Sequence, residues 1–169
     1  MVSRTMLKVY IASSFKNIHA VRLLAKSMRQ MGYEILDWTL KATPPEGLNA
    51  AKRREWMDTD HGGEVFSFCA EACKQADFII YLGTSGQDAG VEVGIAYGLQ
   101  KPVLGIRGPL ESAGLMLYGA CTCWVEHIEH AEQILQEIIG YKKENCSCSG
   151  EALQASSVSL QAQKILLNL

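Results

Sequence analysis

The chain lacks a marked excess of charge of either sign. It has 16 lysine and arginine residues against 18 aspartate and glutamate residues, which leaves a formal net charge of -2. Binding to DNA or RNA depends on a positive surface that neutralises phosphates. We therefore expect no nucleic-acid polymer as a partner, and an anionic ligand has to be held by local groups.

Long hydrophobic runs are also missing. No apolar stretch approaches the roughly 20 residues of a membrane-spanning helix. Residues 1–8 lead into a predicted strand rather than into the apolar centre of a signal peptide. These absences predict a cytoplasmic protein without a membrane partner.

Two nucleotide-binding motifs and the usual zinc-site spacing are absent as well. The sequence contains neither a G-x-G-x-x-G fingerprint nor a Walker A loop, which argues against dinucleotide and triphosphate ligands. Six cysteines stand at positions 69, 73, 121, 123, 146 and 148, but the two C-x-C pairs are closer than the thiolates of structural zinc sites. We predict no metal, and free thiols in a reducing compartment.

The composition that is present is that of a folded domain. Of the 169 residues, 48% are apolar and 20% are charged, as in ordinary globular proteins. We assign residues 1–140 to one α/β domain. Residues 141–169 form an appended tail, because the chain becomes polar and turn-rich from Tyr141 onward. The tail is disordered, packs on the core or docks on a partner subunit.

Short apolar segments alternate along the chain with segments in which apolar residues recur at helical spacing. Strands alternating with helices predict an α/β fold, a flavodoxin-like or Rossmann-like three-layer sandwich with a parallel sheet of about five strands. Residues 41–63, by contrast, are predicted to form a long irregular loop of the kind that often closes over a site. The predicted strands are Leu7–Ala12, Tyr33–Trp38, Phe78–Leu82, Pro102–Ile106 and Cys121–Val125.

Two turns carry the polar residues of interest. In a parallel sheet, ligands bind beyond the carboxyl ends of the strands, and the turns Ala12–Asn17 and Gly83–Glu92 follow two of the predicted strands. Both are rich in glycine and small hydroxyl residues, which bring backbone N–H groups close to a ligand. They predict binding of a phosphate or a sugar hydroxyl.

Glu92 is the candidate reactive group. It falls near the start of a predicted helix between Gly90 and Gly94, so that a ring can approach the carboxylate, while the helix dipole favours its ionised form. The alternative is that Glu92 only complements the helix N-terminus. Asp88, four residues earlier, is interpreted first as the N-cap of this helix.

Several short runs together resemble one enzyme family. They are KVYIASSF at 8–15, ADFII at 76–80, GVEVGIAYG at 90–98 and KPV at 101–103. In order and spacing, about residues 7 to 130 resemble the nucleoside 2-deoxyribosyltransferases and the related hydrolases of deoxynucleoside 5'-monophosphates. Residues 1–140 are accordingly identified as a domain of this type.

The resemblance implies three catalytic residues. Glu92 matches the nucleophile that attacks the anomeric carbon and forms a glycosyl-enzyme, as in retaining glycosidases. Asp77 matches an aspartate that hydrogen-bonds the base or protonates it as the leaving group. Tyr10 matches a tyrosine that orients the glutamate, although a core aromatic is the competing interpretation.

The resemblance and the turns together imply a set of substrate-binding residues. Asp88 is either the helix cap or the carboxylate that binds a 5'-hydroxyl. Trp38 either stacks on a base or anchors the core. The remaining residues of the set lie in or beside the two turns and are predicted to bind the phosphate or the sugar. The predicted set is Ser13, Ser14, Phe15, Trp38, Ser85, Gly86, Asp88 and Gly90.

The predicted function is cleavage or transfer at the N-glycosidic bond of a (deoxy)nucleoside or nucleoside 5'-monophosphate, without cofactor or metal. The resemblance also implies a homo-oligomer, a dimer or larger. The main alternative is a non-catalytic nucleotide-binding module on the same fold, and a third is NAD glycohydrolysis. Fold alone does not choose among them.

Overall fold

The computed structural model describes residues 6–42, 47, 49–147 and 158–169. Five parallel strands form one sheet in the order β2-β1-β3-β4-β5, which is the flavodoxin-like order. The predicted fold class is confirmed. The strands are β1 Lys8–Ala12, β2 Glu34–Ile35, β3 Phe78–Leu82, β4 Val103–Ile106 and β5 Cys123–Val125.

Seven α-helices accompany the sheet within the described ranges. Helices α1 and α6 pack together on one face, and α3 and α4 pack together on the other, where α5 contacts α4. None of these helices combines the length and apolar character that crossing a membrane would need. The helices are α1 Ile18–Met31, α2 Ala50–Met57, α3 Asp60–Gln75, α4 Gln87–Gly98, α5 Leu115–Ala120, α6 Ile128–Ser147 and α7 Leu160–Leu166.

The core follows the apolar pattern of the sequence. All five residues of β3 are buried, as expected for a central strand that is covered on both faces. Helix α1 buries Val21, Leu24, Ala25 and Met28, the positions at helical spacing. It ends at Gly32, whose φ of +105° is the left-handed conformation that glycine adopts most readily.

The second strand is shorter than predicted. Asp37 accepts a hydrogen bond from the backbone N–H of Thr39 at 3.0 Å and begins a 3-10 turn, Trp38–Leu40. This local side-chain bond ends the strand, because aspartate competes with the sheet for backbone N–H groups. Strand β2 therefore covers only Glu34–Ile35.

The prediction of a long irregular loop over residues 41–63 is wrong for the second half of that range. Helix α2 occupies Ala50–Met57 and α3 begins at Asp60. Asn49 and Thr59 cap them, accepting hydrogen bonds from the backbone N–H groups of Lys52 and Gly62. Helix α2 has no buried residue, so it carries no apolar stripe that the sequence pattern could reveal. Pro44 and Pro45 lie outside the described residues.

The end of the chain packs on the core. Helix α6 extends to Ser147, and α7 contacts α6 and β5 and buries Ala162 and Ile165 completely. Ser159 caps α7 and donates a hydrogen bond to Glu137 of α6 at 2.5 Å. Of the three alternatives for the tail, packing on the core describes α7.

Candidate active site

The site lies at the carboxyl ends of β1 and β3. These neighbouring strands lead into helices on opposite faces, α1 and α4. Such a switch point leaves a crevice between the two outgoing loops. The two turns that the sequence singled out, after Ala12 and after Leu82, meet there.

Side-chain hydrogen bonds join the two loops. The Ser13 hydroxyl donates to the Leu82 carbonyl at 2.9 Å and lies 3.0 Å from the Ser85 hydroxyl. The Asn17 amide donates to the Thr84 carbonyl at 3.0 Å and to the Ser13 hydroxyl at 3.1 Å. Asn17 is not among the site residues predicted from the sequence. This network fixes one loop against the other.

Ser14 and the start of α4 leave polar groups available beside this network. The Ser14 backbone N–H donates to the Ser85 hydroxyl at 3.1 Å. The Ser14 hydroxyl is buried and has no hydrogen-bond partner among the described residues. Gly86 has no side chain that could cap α4, and the first N–H groups of a helix have no partner within the helix itself. Together these groups suit an oxygen-rich part of a ligand.

Glu92 and Tyr10 form the centre of the site. The Tyr10 hydroxyl donates to Glu92 Oε1 at 2.5 Å, and Tyr10 is fully buried in the middle of β1. The other carboxyl oxygen, Oε2, is shielded from solvent and receives no hydrogen bond from the described residues. The structure thus brings together two of the three residues predicted to be catalytic.

Burial changes the protonation of this pair. It raises the pKa of Glu92 to about 8, against the hydrogen bond from Tyr10, and the nearby Asp88 carboxylate raises it further. The pKa of Tyr10 is also raised, first by burial and then by Glu92. The expectation that the helix dipole keeps Glu92 ionised is therefore wrong for the ligand-free protein. Glu92 is the sixth residue of α4, beyond the first turn in which the dipole acts, and desolvation favours the neutral carboxyl.

Helix α3 supplies two further groups that the sequence analysis did not select. Cys69 is half-buried and Cys73 is buried. Burial is the main cause that raises the pKa of both thiols, and the Glu92 carboxylate raises it further. Cys69 is also among the groups that raise the pKa of Tyr10, after burial and Glu92. The two cysteines are four residues apart and so share one face of α3. That face borders Glu92.

Two solved structures show the same architecture. The 2-deoxyribosyltransferase of Bacillus psychrosaccharolyticus matches with a TM-score of 0.56 and 22% identity, over 74% of this chain and 90% of that one. This chain has the fold of a 2-deoxyribosyltransferase. A CMP N-glycosidase of Clostridium botulinum matches with a TM-score of 0.50 and 14% identity, over 78% and 97%. No protein-family model matches the sequence, and no curated protein matches it either.

Within this deoxyribosyltransferase fold, Asp77 lies away from Glu92. It precedes β3 at the amino end of the sheet, where its carboxylate accepts a hydrogen bond from the backbone N–H of Lys8 at 2.7 Å. The five residues of β3 separate it by about 16 Å from the carboxyl end. Asp77 joins β1 to β3 and does not reach the base of a ligand bound at Glu92. We leave it out of the proposed site.

Asp88 shares a face of α4 with Glu92 but does not cap the helix. Gly86 is the N-cap, and α4 begins at Gln87, so the interpretation of Asp88 as N-cap is wrong. Residues four apart in a helix lie about 5–6 Å apart at their Cβ atoms, which explains the effect of Asp88 on the Glu92 pKa. Asp88 is exposed and can reach a ligand.

Gly90 and Gly94 do not open a path to Glu92. Each is exposed, and a Cβ added at either would meet nothing within 4 Å. Two residues along a helix correspond to a rotation of about 200°, so both glycines lie on the side of α4 opposite to Glu92. The expected role of Gly90 beside the ligand is not supported by this placement.

Phe15 and Trp38 form an aromatic pair beside the first loop. Their rings meet edge to face at 5.1 Å. Trp38 is only 4% exposed and its indole N–H donates to the Ile11 carbonyl at 2.9 Å, which favours the anchoring interpretation over stacking on a base. Phe15 is 41% exposed. It is the member of the pair that can contact a ligand.

A second pair supports the loop after β3. The Tyr81 hydroxyl accepts a hydrogen bond from the Ser85 backbone N–H at 3.2 Å and donates to Glu111 at 3.2 Å. A Cβ at Gly83 would lie 1.9 Å from the Glu111 carboxylate, so only glycine fits there without displacing it. Glu111 thereby joins the loops that follow β3 and β4.

Two surface cavities lie away from the predicted site. They measure about 350 and 310 Å³ and lie around α5, β5 and the end of the chain, and no residue of the predicted site lines them. Among the residues that the structure describes, no three His, Cys, Asp or Glu side chains are grouped as metal ligands. The candidate site is built around one carboxyl group.

Proposed function

We propose that this protein cleaves or transfers the N-glycosidic bond of a (deoxy)nucleoside or nucleoside 5'-monophosphate, with Glu92 as the nucleophile. The observation that carries the proposal is the Tyr10–Glu92 hydrogen bond of 2.5 Å next to the switch-point crevice. The two proteins with similar folds support it, since one is named a 2-deoxyribosyltransferase and the other a CMP N-glycosidase.

The chemistry assigns different roles to the two oxygens of Glu92. Tyr10 holds Oε1. Oε2, which accepts no hydrogen bond from a described residue, attacks the anomeric carbon of the sugar. The C–N bond breaks, the base leaves with the bonding electrons and takes up a proton, and an ester joins the sugar to Glu92. Water or a second base then attacks the same carbon and releases the carboxylate.

Substrate binding has to change the state of Glu92. With a pKa of about 8, only about a tenth of the molecules carry the ionised carboxylate at pH 7. Since Oε2 is shielded from solvent, substrate entry also requires neighbouring side chains to move aside. Bringing the positive charge that develops on the sugar ring next to the carboxylate favours the ionised form.

The loops offer two kinds of contact to the rest of the substrate. Ser14 and the first N–H groups of α4 suit a phosphate oxygen or a hydroxyl. Asp88 accepts a hydrogen bond from a hydroxyl and repels a phosphate. Phe15 presents an exposed ring to the base. Both a 5'-hydroxyl and a 5'-phosphate therefore belong in the substrate test.

The test is release of free base from a panel of nucleosides and nucleoside 5'-monophosphates, followed by chromatography. Wild type should release base, and Glu92→Gln should lose at least 100-fold in rate, roughly the loss of a group essential in the transition state. Asp77→Asn is the matched control, because it keeps an acceptor for Lys8 at the far end of the sheet. Adding a second free base separates transfer, which yields a new nucleoside, from hydrolysis, which yields free sugar.

A second candidate function is a nucleotide-binding module without catalysis. The raised pKa of Glu92 and the shielding of Oε2 favour it, because a protonated, buried carboxyl is a poor nucleophile. Tight binding of a nucleotide by calorimetry, with no base released from any compound in the panel, would establish this function and exclude the enzyme.

A further inference from the structure

Ser85 is the residue at which the loops around the site are joined. Its hydroxyl accepts a hydrogen bond from the Ser14 backbone N–H at 3.1 Å and donates to the Leu82 carbonyl at 2.7 Å. Its own backbone N–H donates to the Tyr81 hydroxyl at 3.2 Å. The backbone of Ser85 is therefore held from β3, and its side chain holds the loop after β1.

Tyr81 is held in turn by Glu111, which belongs to the loop after β4. A phenol hydroxyl has one proton to donate and lone pairs that accept. Tyr81 accepts from Ser85 and donates its proton to Glu111, whose two carboxyl oxygens lie 3.2 and 3.3 Å from the hydroxyl. Burial raises the pKa of Tyr81 to about 12, so the hydroxyl keeps this proton at neutral pH.

Close packing surrounds this pair. Tyr81 is 1% exposed, and its ring lies 5.8 Å from that of Trp124 in an edge-to-face arrangement. The loop after β4 lies directly against the loop after β3, since a Cβ added at Gly108 would lie 2.1 Å from the Thr84 backbone nitrogen. The Glu111 backbone N–H donates to the Gly108 carbonyl at 2.9 Å. Glu111 therefore reaches Tyr81 from a turn that is packed against the loop it supports.

We propose that Tyr81 and Glu111 are positioning residues for the part of the site that binds the 5' end of the substrate. They orient Ser85, and Ser85 holds Ser14 so that the Ser14 hydroxyl and the first N–H groups of α4 bind the same 5' oxygen. This role rests on the proposed function, whereas the line of hydrogen bonds from Glu111 to Ser14 is a property of the ligand-free protein.

The first measurement is amide hydrogen exchange of the ligand-free protein, followed by NMR. Tyr81→Phe removes the acceptor of the Ser85 N–H and should speed its exchange about five- to fiftyfold, as for a buried N–H left without a partner. Exchange at the Ser14 N–H should rise as well, by a smaller factor, because Ser85 no longer has a fixed position. Tyr33→Phe is the matched control and should leave both rates unchanged. It removes another buried tyrosine hydroxyl, which donates to the Leu135 carbonyl at 2.8 Å.

Two substitutions of Glu111 test the other end of the line. Glu111→Ala removes the acceptor of the Tyr81 proton and should speed exchange at Ser85 about two- to tenfold. Glu111→Gln keeps an acceptor oxygen and should restore the wild-type rate. If exchange at Ser14 stays at the wild-type rate in Tyr81→Phe, the line ends at Ser85 and the proposal is overturned.

Activity provides the second readout, with the compound of the panel that releases base. Tyr81→Phe and Glu111→Ala should raise KM about three- to tenfold and leave kcat within about twofold, because they weaken binding away from the anomeric carbon. Glu111→Gln should restore the wild-type KM. With the 5'-deoxy analogue of the same nucleoside, wild type and variants should have equal KM, since the oxygen that the loop binds is missing.

The analogue separates positioning from a general loss of structure, which would raise KM for both compounds alike. An equal change of KM with and without the 5' oxygen, or a fall in kcat at unchanged KM, would overturn the proposal. A wild-type protein that releases no base refutes the proposed function instead. Exchange at Ser14 then decides whether Tyr81 and Glu111 hold the loop, so the two failures are distinguishable.

Discussion

Replacing Glu92 by glutamine removes a group whose protonation changes on folding. In the folded protein burial raises the pKa of Glu92 to about 8, from an ordinary value of 4.5. Between these two values the folded protein holds the proton and the unfolded chain does not. Unfolding therefore releases a proton in this window, and the free energy of unfolding of the wild type falls as the pH rises.

The size of the effect follows from the two pKa values. Each pH unit of difference corresponds to about 1.4 kcal/mol, so Glu92 accounts for a loss of about 5 kcal/mol of stability between pH 4.5 and pH 8. This stabilisation is complete below pH 4.5, declines through the window and is lost above pH 8. Glutamine does not titrate, so Glu92→Gln lacks this slope.

Urea unfolding followed by circular dichroism, at pH steps from 5 to 9, measures the difference. The free energy of unfolding of Glu92→Gln minus that of wild type should increase by several kcal/mol from pH 5 to pH 9, whatever the difference is at pH 5. Glu55→Gln, on the exposed face of α2, controls for the chemical change. A constant difference between wild type and Glu92→Gln across this range would refute a buried, protonated Glu92.

Four further outcomes are expected. The kcat/KM for base release should rise about tenfold per pH unit and level off above about pH 8, since the nucleophile has to be ionised. Tyr10→Phe should lower base release at pH 7 about tenfold or more, because it removes the donor to Glu92. Asn17→Ala should lower stability by about 1–2 kcal/mol in thermal unfolding, because it breaks the bonds between the loops. The homo-oligomer stays a prediction, and sedimentation should give a multiple of 18.6 kDa.

The fold could be predicted because its signals are local. The apolar runs of β1 and β3 indicate strands that are buried on both faces of the sheet. The helical spacing of apolar residues in α1 indicates a helix that is buried on one face. Helix α2 shows the opposite case. It buries no side chain, so only its caps distinguish it from a loop, and a cap is a weaker signal than a stripe of apolar residues.

The site could be predicted in part. The resemblance and the turn composition predict Tyr10, Glu92 and the two serine-containing loops. The structure brings them together toward the carboxyl ends of β1 and β3. Asp77 comes from a matching run but lies at the amino end of the sheet, because it precedes β3 and the site lies beyond the other end of that strand. Cys69 and Asn17 gave no signal, since a cysteine at helical spacing indicates core and an asparagine in a turn indicates a cap.

By itself, the sequence determined the order of the five strands along the chain and the helices that bury an apolar face, because hydrophobic periodicity and turn chemistry act over a few residues. Only the tertiary structure decided which polar groups meet and in which protonation state. Local position places Glu92 in a helix dipole that favours its anion. The packing of β1, α3 and α4 around it removes water from the carboxyl, and the loss of hydration favours the protonated form.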